Sequence, residues 1–167
     1  MKRDFLPLLL AILPIAVLAI LAGVLLSYAT VSEDFEDLVY GEGMVSIADA
    51  SVSVEIPYTQ SGFRQGLAGR DELAEDAGML FLCLPGPYPK FWMKGMKFPI
   101  DIIWINSDLE VSGISEHVTP DSFPDTIVPR APATHVLEVN AGFADRHGIS
   151  LGDTIFGLGG SSCSQAF

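Results

Sequence analysis

Residues 91–105 read FWMKGMKFPIDIIWI, and this stretch decides the fold class. Pro99 divides it. After the proline comes an apolar run, residues 100–105, that reads as a buried strand. One carboxylate interrupts the run at its second position, Asp101. A carboxylate in a buried strand must be hydrogen-bonded, paired or protonated, because an unpartnered buried charge is very unfavourable. Before the proline, Phe91, Trp92, Met93 and Met96 stand among Lys94 and Lys97. Alternation along 91–93 places Trp92 on the face opposite Phe91 and Met93.

Working outward, strand-like runs recur on both sides. GMLFLCL (78–84) is continuously apolar between Gly78 and Pro85 and reads as a second strand buried on both faces. In VSIADASVSVEI (45–56), Val52, Val54 and Ile56 alternate with Ser53 and Glu55, the pattern of a strand with one wet face. KFWM (90–93), LEVSGI (109–114), HVLEVNA (135–141) and the end of GISLGDTIFGL (148–158) supply further strands. Thr59 or Ser61 is placed to cap a short helix that stops around Gly66 to Gly69. A single helical turn is expected over 143–147, ended by Gly148. Asp71, Glu72, Glu75 and Asp76 make a solvated acidic turn, and four prolines mark 119–132 as a long surface loop. Many short strands with very short helices predict a mostly β domain over residues 44–158, a small closed or partly closed β-barrel.

The ends differ in character. Residues 5–29 carry no charge, and as a helix they would rise about 37 Å, enough to cross a hydrocarbon core of about 30 Å. Lys2 and Arg3 precede the run and the acidic SEDFEDLVYGEG follows it. The expected topology is one N-terminal transmembrane helix within residues 1–29, with the remaining chain outside the cytoplasm. The alternative is a signal peptide cleaved near Ala29, after the small-x-small triplet Ser27-Tyr28-Ala29, which would leave a secreted protein. Residues 30–43 read as an acidic linker and 159–167 as a flexible tail.

Residues 30–167 hold seven basic and twenty acidic residues, a net charge of −13. A domain this acidic repels nucleic acid and anionic lipid surfaces, so no nucleic-acid partner is expected. Of the two cysteines, Cys83 lies in FLCLP and Cys163 in the Gly/Ser-rich tail. Two buried or free thiols is the simpler reading, although the oxidising side of a membrane permits a disulfide.

In order along the chain, GLAGR (66–70), GMLF (78–81), FWMKGMKFPIDIIWI (91–105), VLEVNAG (136–142) and GISLGD (148–153) resemble the family known as domain of unknown function 192. The resemblance spans roughly residues 45–157 and matches Asp101 to the motif's aspartate. It implies a compact β-rich domain, often exported or membrane-tethered, with no established activity and no accepted catalytic residues. The chain departs from the family pattern at Ala68, where many members have Met, and at Gly95-Met96, where many have Asn-Thr.

The polar residues leave alternatives open. Asp101 either accepts hydrogen bonds from the backbone of a loop or pairs with Arg70, pinning GLAGR to the strand. As a functional group it would instead form a carboxylate pair with Glu138, suited to acid–base chemistry. Glu138, between apolar neighbours in its strand, would otherwise face water. Asn140 reads as a turn former bonding local backbone. His117, His135 and His147 show no ligand spacing and read as solvent-exposed, so no metal and no cofactor are expected. Trp92 either lines a ligand-binding mouth with Lys94, Lys97 and Arg70, or packs under the 119–132 loop.

The resulting reading is an extracytoplasmic β-domain anchored in the membrane through residues 5–29. It would serve as a ligand-binding or accessory module of the cell envelope, taking an envelope small molecule or polymer. The alternative is a hydrolase acting on envelope polymers through Asp101 and Glu138.

Overall fold

The computed structural model describes residues 40–157. The expected membrane or signal segment, most of the linker, the tail and Cys163 lie outside the described residues.

Seven strands form one sheet: β1 Tyr40–Ile47, β2 Ala50–Pro57, β3 Ala77–Phe81, β4 Ile100–Ile105, β5 Val111–Val118, β6 His135–Asn140 and β7 Ile155–Phe156. Their order across the sheet is β5-β4-β6-β3-β2-β1-β7. Neighbours are antiparallel except β2 and β3, whose crossover carries the short helix α1 Gln60–Gln65 and the acidic turn. The sheet curls into a half-barrel. Its two edges touch at a bridge between Glu110 and Thr154, beside which Val111 N donates to Asp153 O at 2.8 Å. The expected mostly β, partly closed architecture is what forms.

The central strands are buried on both faces because the sheet has two apolar surfaces. Inside the curl, Ile103 and Ile105 of β4 pack with Val52, Val54, Leu80, Leu137, Val139 and Phe143. On the outer face, Ile100, Ile102 and Trp104 pack with Met79, Phe81, Met93 and Val136. That outer face is roofed by the loops around 67, 84–98 and 118–133. Burying each such side chain stabilises the fold by about 1.5–3 kcal/mol.

Local chemistry sets the ends of α1. Thr59 Oγ1 accepts from Gly62 N at 3.1 Å, and Gly66 closes the helix at φ +52°, a conformation that suits glycine. The turn over 143–147 forms as the helix α2, Phe143–Arg146.

Three strand readings change. VSIADASVSVEI is a hairpin, not one strand: Ile47 pairs with Ala50 around a turn in which Ala48 adopts φ +50°. No Gly or Asn marks that turn, which is why the sequence hid it. The hairpin's first strand begins at Tyr40, inside the stretch read as linker. KFWM contributes only an isolated bridge, Phe91 to Ile127, because this segment serves as a roof over the outer face.

Candidate functional site

Asp101 points inside the half-barrel and is fully buried. Its Oδ1 accepts from His117 N at 2.8 Å and its Oδ2 from Ala144 N at 3.1 Å. Both donors are groups that their own elements leave unpaired. The β4–β5 register slips between Ile100 and Ile102, and His117, at φ +53°, turns its N–H away from the ladder. Ala144 lies in the first turn of α2, where backbone N–H groups lack helical partners, and Gly142 provides no capping side chain. Asp101 thus ties β4 to a bulge and to a helix start. The expected Arg70 pair does not form. Arg70 instead forms a two-pronged ion pair with Glu55 of β2, one arm at 2.6 Å.

Glu138 does not face water. It is 6 % exposed and lies on β6 opposite Ile102, whereas Asp101 lies opposite Val139. Side chains alternate along paired strands, so the two carboxyls project from opposite faces of the sheet. With the two carboxyls on opposite faces, the structure gives no support to the acid–base pair of the hydrolase reading.

On its own face Glu138 lines a cleft of about 460 Å³. The cleft runs between the α1–Gly66 segment and the β3–β4 connection. Its apolar wall includes Phe63, Leu67, Phe81, Leu84 and Phe91. Phe91 stacks edge-on against Phe81 at 4.9 Å and Trp104 at 5.6 Å, which fixes the wall. No hydrogen-bond partner reaches the Glu138 carboxyl among the described residues. Burial raises its pKa from an ordinary 4.5 to about 8, so it is a protonated, neutral acid at pH 7. Gly66 lies against the carboxyl: a Cβ there would stand 3.9 Å from Glu138 Oε2, in ordinary contact.

The residues expected at a ligand-binding mouth separate. Trp92 is 48 % exposed and lines the cleft, with Lys94 Nζ 5.7 Å from its ring centroid. Phe91, not Trp92, meets the proline-rich loop. Lys97 is outside the lining and pairs with Asp71 at 2.7 Å. Arg70 is outside it as well, since Glu55 holds its guanidinium. The lining brings in Arg64, Tyr88 and Lys90, which the strand-by-strand reading passed over. Ala68 and Met96 also line it, and a Cβ at Gly95 would lie 3.5 Å from Ala68. The two departures from the family pattern therefore meet beside the cleft.

Other polar expectations are corrected. Asn140 Nδ2 donates to Leu73 O at 3.1 Å and Ala74 O at 2.9 Å, bonding a distant turn and not its own. His135 is buried, not exposed, with its ring bonded to Thr134 Oγ1 at 2.8 Å; burial lowers its pKa. Cys83 takes part in a disulfide, contrary to the free-thiol reading.

The sequence profile of the uncharacterized ACR family, DUF192, matches residues 43–157. No curated protein matches the chain. Among solved structures, a proposed transcription regulator from Sinorhizobium meliloti 1021 is 34% identical with a TM-score of 0.67, covering 74% of this chain and 98% of its own. A protein of unknown function from Novosphingobium aromaticivorans DSM 12444 is 30% identical with a TM-score of 0.62, covering 70% of this chain and 84% of its own.

Proposed function

Because the chain belongs to the uncharacterized ACR family, DUF192, which brings no activity with it, we propose its function from the cleft itself: a small-molecule binding module. One observation carries this reading. A carboxyl side chain that is 94 % buried by exposure of only 6 %, with no partner among the described residues, lines an open cleft of about 460 Å³. The carboxyl oxygens are not sealed from the cleft, so the protonated acid offers an unclaimed hydrogen-bond donor to a ligand that enters it. The cleft volume falls in the range of about 300–1,000 Å³ usual for small-molecule sites. The exposed Trp92 at the mouth offers a flat apolar surface to a ring.

The module works, on this proposal, at the cell envelope. The uncharged run 5–29 behind Lys2 and Arg3 supports an anchor with the domain outside the cytoplasm. The Sinorhizobium relative is described as a proposed transcription regulator, and direct nucleic-acid binding draws no support from this chain's formal charge of −12.

The test uses indole fluorescence in a Trp104→Phe chain, where Trp92 is the one remaining indole. Envelope-derived saccharides, amino acids and lipid headgroups are titrated in turn. At least one class should shift the emission, and Glu138→Leu should abolish the shift while the fold survives. Silence across the whole panel contradicts the binding reading.

A further inference from the structure

The charges around the cleft restrict what it takes. Arg64 on α1 and Lys90 and Lys94 on the β3–β4 connection line it, and Glu138 is the only acidic residue in the lining. The chain as a whole is the reverse, with a formal charge of −12. The segregation is written along the chain. Residues 56–70 and 77–100, which supply nearly all of the lining, hold five of the nine basic residues and none of the 21 acidic ones. Two of those five are engaged, Arg70 by Glu55 and Lys97 by Asp71. Arg64, Lys90 and Lys94 have no ion-pair partner among the described residues, and all three are exposed.

The cleft is therefore polarised from mouth to floor. Three cations and Trp92 stand at the mouth, Phe63, Phe81, Leu84 and Phe91 form the walls, and Glu138 is buried behind them. The titratable groups facing Glu138 across this space are Arg64, Tyr88, Lys90 and Lys94. Burial raises the Glu138 pKa to about 8 despite those cations. A cationic ligand would meet three like charges on entry, and a wholly polar polyanion would leave the aromatic walls unused.

We infer that the cleft takes a small organic anion with an apolar ring body. Arg64, Lys90 and Lys94 hold its acidic group at the mouth, and a hydrogen-bond acceptor at its far end reaches Glu138. This rests on the reading of the cleft as a ligand site and adds the charge and orientation of the occupant.

Three probes test it on the full-length chain by isothermal titration: a methoxynaphthoate with its substituents at opposite ends of the rings, the corresponding methoxynaphthamide, and unsubstituted naphthoate. The carboxylate should bind roughly tenfold or more tightly than the amide, as expected for a charge-assisted contact. That ratio should collapse in Arg64→Gln/Lys90→Gln/Lys94→Gln, whose changes lie on the surface. The methoxy group should improve binding to the wild-type chain and give no gain in Glu138→Leu. If acid and amide bind equally at the cleft, the anion inference falls and the binding module stands. If the acid's preference survives in the triple variant, the anion is held elsewhere and the inference falls. A methoxy group that adds nothing in the wild-type chain overturns the assignment of Glu138. If no probe binds, the anion inference fails, while the binding reading is decided separately by the Trp92 fluorescence panel.

Discussion

Asp101 and Glu138 make an instructive pair. They are buried on neighbouring strands, one register step apart, and face opposite sides of one sheet. Asp101 has both oxygens occupied by backbone donors, so its burial is fully explained by holding a bulge and a helix start. Glu138 has no such donors and opens on a cleft. Burial of a carboxyl does not by itself mark a functional site; the state of its hydrogen bonds does.

The contrast is most exposed to pH. Glu138 is raised from 4.5 to about 8 in the folded protein, so between those values the native state binds more protons than the unfolded chain. Stability contributed by this group is then complete below about 4.5 and falls as pH rises to about 8. At roughly 1.4 kcal/mol per unit, the loss is on the order of 5 kcal/mol. Urea unfolding of Glu138→Gln should match the wild-type chain in acid and exceed its stability above that range. Parallel pH profiles of the two proteins would erase the distinction between the two carboxyls.

Asp101→Ala attacks the other side of the comparison. It leaves the His117 and Ala144 N–H groups without their acceptor. At about 1–3 kcal/mol for each stranded group, the loss should be about 4 kcal/mol, read as a lower urea midpoint with an unchanged slope. Asp101→Asn, which keeps one acceptor oxygen, should lose less. An Asp101→Ala chain with the wild-type midpoint would show that the carboxyl is not a structural tie.

Arg70→Ala removes an ion pair that is partly open to solvent, with side chains 29% and 35% exposed. The expected loss is about 1 kcal/mol at neutral pH. Arg70's hydrogen bond holds the Glu55 carboxyl below its usual range, so this stabilisation is present above the unfolded value and disappears as pH falls through the folded one. Wild-type and variant midpoints should therefore converge in acid. Lys97→Ala sits at the end of the scale. Its pair with Asp71 is exposed, and thermal melting should show no measurable change.

The sequence made the strands legible where apolar runs met a proline or glycine, as at Pro99 before β4 and Gly78 in β3. It hid the β1–β2 turn because an alanine, Ala48, and not Gly or Asn, takes the left-handed position there. Asp101 was recognisable as a problem, and the backbone solution was among the readings. Its donors were not identifiable, because a register slip and a distant helix start supply them. Glu138 misled for a different reason. Its strand, HVLEVN, does not alternate cleanly, so periodicity did not say which face was covered. Only the folded loops over the outer face make that position buried. The cleft's cations did leave a signal that strand patterns ignore, in the two acid-free stretches of a strongly acidic chain.

The most direct test is a carbon-13 NMR titration of the glutamate side-chain carboxyls, with Glu138→Gln used to assign the Glu138 resonance. The account predicts a midpoint near 8 for that one carboxyl, shifted by its burial at the cleft. A midpoint in the ordinary glutamate range, about 4–5, would contradict it: Glu138 would be solvated or paired, and the cleft would lose its neutral acid.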